Sequence, residues 1–257
     1  MNRLRPDIRI AANAEALAQA AAQEFARGVE EALKFRKTCT VVISGGSTPK
    51  TLYRLLANQQ DPSFRTRLPW NQIHFFWSDE RHVPPDHPDS NYRMACEAML
   101  SHVPVPSENV HRIRAENPDA RQAAEAYEEE LVRSFFPRGR AAGALPRFDL
   151  VLLGMGADGH TASLFPGTAT VHEQARMIVA PWIEPFHAYR ITMTAPLLNN
   201  STRILFLVSG REKAETLRTV LRGEYQPELF PAQLIRPTQG SLLWFVDSAA
   251  ASLLYLP

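Results

Sequence analysis

Short, nearly uninterrupted apolar runs separated by helical segments constrain this chain more than any other feature. Thr40–Ser44, Ile73–Ser78, Phe148–Leu153, Arg203–Ser209 and Leu242–Val246 each read as a buried strand. Met177–Ala180 and Tyr189–Thr194 read as two more. Between them lie helical stretches. Asn13 caps the first, in which Leu17, Ala21, Phe25 and Val29 recur every four residues and Lys34–Lys37 put positive charge at the far end. Pro49 suits the first position of a helix over Lys50–Ala57. Asp89 or Ser90 caps one running to about Ser101, and Asp119–Phe136 and Glu212–Arg222 are two others, with a short helix after Asp247. Strands without in–out alternation, each followed by a helix, predict an α/β fold. In it a mostly parallel sheet is covered on both faces, and ligands bind beyond the strands' carboxyl ends.

Composition narrows the class. Of 257 residues, 45% are hydrophobic and 21% charged, which excludes a disordered chain. The 28 basic and 27 acidic residues leave +1, with no basic run of the kind that binds nucleic acid. No apolar run reaches the ~18 residues of a membrane span. The first residues make a poor export signal, and two cysteines outside CxxC spacing fit a reducing cytoplasm. Arg138–Arg147 is the best candidate for a surface loop. The 12 glycines are few, about 5% against roughly 7% on average, yet they cluster where strands end.

Four such segments carry candidate chemistry. Ser44-Gly-Gly-Ser-Thr-Pro49 joins a strand to a helix N-terminus. There free N–H groups at Gly45, Gly46, Ser47 and Thr48 form an anion site or a plain tight turn. Gly154-Met-Gly-Ala-Asp-Gly159 matches G-x-G-x-x-G, but Pro166-Gly167 follows too soon for a dinucleotide helix, and Glu184 stands between two prolines. Its glycines instead present Asp158 and His160, a candidate acid–base pair. Trp77-Ser-Asp-Glu-Arg-His82 places Asp79, Glu80 and Arg81 after a strand, as a solvated turn or as substrate contacts. Ser209-Gly-Arg-Glu-Lys213 sets Lys213 against a helix dipole, which suggests an anion nearby, and Arg190 is a second cation. The histidines show no metal spacing, and there is no G-x-S-x-G elbow.

These segments, in this order, resemble the 6-phosphogluconolactonase family, which shares a wider fold group with glucosamine-6-phosphate deaminases and isomerases. The resemblance runs through Ser44–Pro49, Ser78–Val83, Asp89–Tyr92, Gly154–Pro166, Arg190–Thr194, Gly210–Lys213 and Pro231–Thr238. It implies a three-layer αβα fold with a Rossmann-like sheet of the glucosamine-6-phosphate deaminase / ribose-5-phosphate isomerase type. One domain spans residues 1–257, with a smaller lobe at about 120–200. The deaminase-like branch has Asp-Glu-Tyr where this chain has Asp79-Glu80-Arg81, and a glutamate where this chain has Phe165. The resemblance therefore implies a cofactor-free, metal-free lactonase acting on 6-phosphogluconolactone. His160 is its general base, oriented by Asp158 or Asp79. Arg81 meets the oxyanion or the phosphate, and the Gly45–Thr48 loop, Arg190 and Lys213 bind the phosphate. It also implies a cytoplasmic monomer or small homo-oligomer, weakly associated with glucose-6-phosphate dehydrogenase. An isomerase or deaminase of the same fold, and a non-catalytic sugar-phosphate sensor, are the alternatives.

Overall fold

In the computed structural model, which describes residues 7–255, the chain runs β1 (Asp7–Ala11), α1 (Ala14–Leu33), β2 (Cys39–Ile43), α2 (Ser47–Leu56), α3 (Ser63–Arg67), β3 (Ile73–Trp77), β4 (Asp79–Arg81), α4 (Asn91–Ala98), β5 (Val110–His111) and α5 (Ala120–Phe135). It continues through β6 (Leu150–Gly154), β7 (Ile178–Val179), β8 (Trp182–Ile183), β9 (Ala188–Met193), α6 (Ala195–Asn199), β10 (Arg203–Val208), α7 (Ala214–Arg222) and β11 (Ser241–Asp247). The segment read above as a poor export signal falls largely on residues 1–6, outside the described residues.

Seven strands form one sheet in the order β1-β11-β10-β6-β2-β3-β5, and every pair in it is parallel. Five of the seven expected strands lie in it. Their side chains are buried almost throughout, because helices flank the sheet and leave neither face to water. α1 carries Leu17, Ala21, Phe25 and Val29 into the core, and the Asn13 side chain accepts from the Ala16 N–H at 2.9 Å, as the cap pattern requires. α2 starts at Ser47, three residues before the expected Lys50. Gly46 bends the chain at φ 109°, so the helix begins directly after it and Pro49 takes its third position.

The other expected strands leave this sheet. β9 pairs antiparallel with β4, β7 and β8 in a small second sheet. Met193 N–H donates to Ser78 O and Ser78 N–H to Ile43 O, tying the two sheets together where β3 ends.

Asp79 and Glu80 are therefore strand residues, 7% and 2% exposed, and the solvated-turn reading of that segment is wrong. Glu80 accepts from the backbone N–H groups of Arg81, Asn91 and Tyr92 at 2.7–2.8 Å and from the Ser90 hydroxyl at 3.0 Å. Burial pushes its carboxyl up, against these donors. It occupies the N-terminus of α4, which Ser90 caps. Glu80→Ala would leave those donors buried without an acceptor. We expect it to cost about 3 kcal/mol or more, at ~1–3 kcal/mol per orphaned group, read as a lowered thermal midpoint.

Candidate active site

The strand order locates the site. From β2 the chain moves outward to β3 and β5, and from β6 it moves the other way to β10 and β11. The order in which strands are added thus reverses between β2 and β6, and in sheets of this kind ligands bind beyond the strands' carboxyl ends at such a point. The Gly45–Thr48 loop leaves β2 and the Gly154–His160 loop leaves β6. The two loops nearly touch: a side-chain carbon placed on Gly154 would sit 4.0 Å from the Gly45 carbonyl oxygen.

His160 Nδ1 lies 2.6 Å from the Asp158 carboxylate, which also accepts the His160 backbone N–H. A carboxylate at Nδ1 selects the tautomer with its proton there and leaves Nε2 as the basic nitrogen. Burial works to raise the Asp158 carboxyl, but the hydrogen bonds and charge of His160 outweigh it and hold it below its usual range. Gly156 makes this pair possible. A side-chain carbon there would stand 2.2 Å from Nδ1 and 2.5 Å from the Asp158 oxygen. The loop is fixed by Gly156 N–H on His160 O, by the Thr161 hydroxyl on Gly154 O, and by the Thr216 hydroxyl of α7 on Ala157 O. Ala162, two residues on, is held at φ 47°, a conformation that costs roughly 1–2 kcal/mol outside glycine. No helix opens at Gly159, as the rejection of a dinucleotide motif requires.

Asp79 lies elsewhere. Its two oxygens accept from the Ser78 and Ser163 hydroxyls at 3.0 and 2.8 Å, so the carboxylate on His160 is that of Asp158. Arg81 and Arg190 are cross-strand partners in the β4–β9 register, two guanidinium groups on one face. Their side chains donate only to backbone carbonyls among the described residues, Arg81 to Asp89 and Arg190 to Tyr189. Burial, and next the charge of Arg81, lower the Arg190 pKa. Like charges so placed repel unless an anion sits near them.

Lys213 ends a turn that starts at Gly210, φ 106°. Asp247 anchors that turn through Ser209, Gly210 and Ala250. Burial lowers the Lys213 pKa, with Glu212 and Asp247 opposing. In the loop after β2, Gly46 caps α2; among the described residues no side chain bonds its first-turn N–H groups, and Ser44 Oγ is buried without a partner. The space beside Gly45 is taken by the Asn91 amide, which a side-chain carbon would meet at 2.0 Å. Asn91 in turn donates to Asp79 O.

Sequence reasoning missed the burial of Glu80, the Ser163–Asp79 bond and the packing of Phe165 on His160, with ring centroids 4.3 Å apart. The only signal for the last was the apolar residue five positions after His160. A cleft of ≈1190 Å³ beside the site is lined by Asp158 and Phe165 but not by His160, Arg81, Arg190 or Lys213. Among the described residues no group of three or more His, Cys, Asp or Glu side chains is placed to hold a metal ion, and no helix is long and apolar enough to cross a membrane.

Comparison with known proteins identifies the family. The family described as glucosamine-6-phosphate isomerases/6-phosphogluconolactonase matches residues 12–244. A 6-phosphogluconolactonase of Synechocystis sp. is 40% identical over 247 residues, 96% of this chain and 98% of its own. The 6-phosphogluconolactonase structure from Trypanosoma cruzi superposes with TM-score 0.84 at 27% identity, covering 98% of this chain and 97% of that one. A monomeric glucosamine-6-phosphate deaminase superposes with TM-score 0.77 at 25% identity over 96% and 99% of the two chains. The parallel sheet, the loops at its reversal point and these matches place the chain in the glucosamine-6-phosphate isomerase/6-phosphogluconolactonase family.

Proposed function

We propose that this chain hydrolyses 6-phospho-D-glucono-1,5-lactone to 6-phospho-D-gluconate, as the names of its relatives suggest. The observation that carries the reading is the Asp158–His160 pair at the sheet's reversal point. In this proposal His160 Nε2 takes a proton from a water, whose oxygen attacks C1 of the lactone. The carbonyl electrons move to oxygen, giving a tetrahedral oxyanion that a cationic or N–H donor must meet. Collapse reforms the C1 carbonyl and breaks the bond to the ring oxygen, which receives the proton from His160. The product is the open acid, and His160 is neutral again. Asp158 holds the imidazolium in between. A sugar lactone is an activated ester, so the ~10²–10⁴-fold from general base catalysis, with the oxyanion donor, can suffice.

The phosphate is assigned to the first turn of α2, with Gly45, Gly46, Ser47 and Thr48, and to Arg190 and Lys213. Arg81, beside Arg190, is assigned to the oxyanion, with the phosphate as its alternative. Asp79 takes a supporting part, bracing Ser163 in the loop after His160. The chain acts as one domain, with a lobe within about 120–200 that supplies Arg190 and pairs it with Arg81. The proposal extends to a cytoplasmic monomer or small homo-oligomer associating weakly with glucose-6-phosphate dehydrogenase, which light scattering and co-sedimentation would test.

The deciding assay supplies freshly generated 6-phosphogluconolactone and follows the acid formed above the spontaneous rate. Turnover supports the proposal. Ammonia release from glucosamine 6-phosphate without lactone turnover would replace it with the deaminase reading. Tight binding of the phosphosugar with neither reaction would leave a sensor.

Lys213 adds a pH test. Its charged form binds the anion and its pKa is lowered, so KM is expected to rise at alkaline pH, beginning below the usual lysine value of ~10.4. Lys213→Met should remove that limb. Stability of the ligand-free protein runs the other way. The unfolded chain keeps the Lys213 proton to higher pH, so this residue's contribution becomes more favourable as pH rises through the window.

A further inference from the structure

The contact between Phe165 and His160 belongs to a longer column of planar groups. The Phe165 ring stacks on the imidazole at 4.3 Å between centroids and 27° between planes. Phe186 meets Phe165 edge-on at 5.6 Å and 62°. The Arg190 guanidinium carbon then lies 5.1 Å from the centre of the Phe186 ring. Phe165 is 9% exposed, whereas Phe186 is 54% exposed. Phe186 sits on the turn between β8 and β9, next to His187 at φ 44°.

Such a column answers a mechanical need of the acid–base pair. The bond from Nδ1 to Asp158 fixes one edge of the imidazole. The ring can still tip about that bond, and tipping swings Nε2 through an arc. The Gly156 backbone bounds the same edge, close to Nδ1 and Cε1. A flat partner on the ring's face is what opposes tipping. An aromatic face also favours the imidazolium electrostatically, which an aliphatic side chain of similar size does not.

We propose that Phe165, braced by Phe186, is a positioning residue that holds the plane of the His160 imidazole and so keeps Nε2 in one direction. The kinetic part of this inference rests on His160 being the general base. Its structural part does not.

The test uses the full chain carrying ¹³C-labelled histidine. In the unsubstituted protein the ring-carbon protons of His160 should be shifted upfield by the Phe165 ring. Phe165→Leu should remove that shift and lower kcat about 10-fold, with KM within about twofold, because misorientation affects the chemical step more than binding. Phe165→Tyr should restore both. If Phe165→Leu folds poorly, Phe186→Ala serves instead, since Phe186 is half exposed, and a kcat loss of about 3-fold is expected from the weakened brace. Unchanged resonances in Phe165→Leu would overturn the proposal, and so would unchanged kcat or a tyrosine variant that folds but rescues nothing. Should His160→Ala retain full activity, the base assignment falls. The His160 resonances in Phe186→Ala, which keeps the Phe165 ring but removes its brace, would then decide whether the column sets the imidazole plane.

Discussion

His160→Ala is expected to lower kcat for lactone hydrolysis about 10²–10⁴-fold, the range that a positioned general base supplies. The protein should fold as before. The His160 side chain is 30% exposed and that of Asp158 50%, so removing the imidazole strands no buried charge. The thermal midpoint should stay close to that of the parent, and initial rates above the spontaneous hydrolysis give the loss. Asp158→Asn separates the two acids. It removes the charge that holds the tautomer and the imidazolium, and should lower kcat with little change in stability. Asp79→Asn should do the reverse, because the buried Asp79 carboxylate accepts from Ser78 and Ser163 and does not reach His160. A wild-type rate in His160→Ala would remove the base from the mechanism.

Arg81→Met and Arg190→Met are expected to lower kcat/KM by about 10–100-fold each, from ~1.5–3 kcal/mol for a hydrogen bond to a charged group. The split between constants shows which end of the substrate each guanidinium serves. A phosphate contact is felt equally in the ground and transition states and raises KM. An oxyanion contact forms only during reaction and lowers kcat. The proposal places Arg190 in the first class and Arg81 in the second. Stability supplies an opposite sign. The two arginines face each other across the β4–β9 pair, and like charges so placed are destabilising. Either substitution should therefore leave the ligand-free thermal midpoint unchanged or higher, while stabilisation by added 6-phosphogluconate shrinks with the lost affinity. A lowered ligand-free midpoint in both variants, with unchanged kinetics, would make the pair structural.

Much of the scaffold was readable from local pattern. Asn13 before a four-residue apolar repeat marks α1, and Thr40–Ser44 and Phe148–Leu153 mark central strands, because full burial leaves no alternation. Four strands escaped: β1 and β5 at the edges of the main sheet, and β4 and β8 in the small one. Asp7–Ala11 alternates charged residues with isoleucines, too short a pattern to read alone, and gains its partner only at Leu243–Asp247. Val110–His111 is two residues long. Asp79-Glu80-Arg81 looked like surface, since three charges in a row normally are. Glu80 is buried because the N-terminus of α4 supplies it with donors, a compensation that the triplet itself does not display. Phe165 was legible as an apolar residue in a place of interest, but not as a partner of the histidine.

The sequence by itself determined the alternation of strands and helices, the glycine-bearing loops at the strand ends, and enough ordered motifs to place the family. Local periodicity and turn chemistry act over a few residues, and those features are local. Tertiary structure alone decided that β6 lies beside β2, so that the Gly45 and Gly154 loops lie side by side. It decided that Asp158 and not Asp79 meets His160, that Arg81 faces Arg190, and that Phe165 covers the imidazole. Those pairings depend on strand order, on the departure of β4 and β9 into a second sheet and on side-chain packing. All of these are set by burial of the whole chain, and no single segment encodes them.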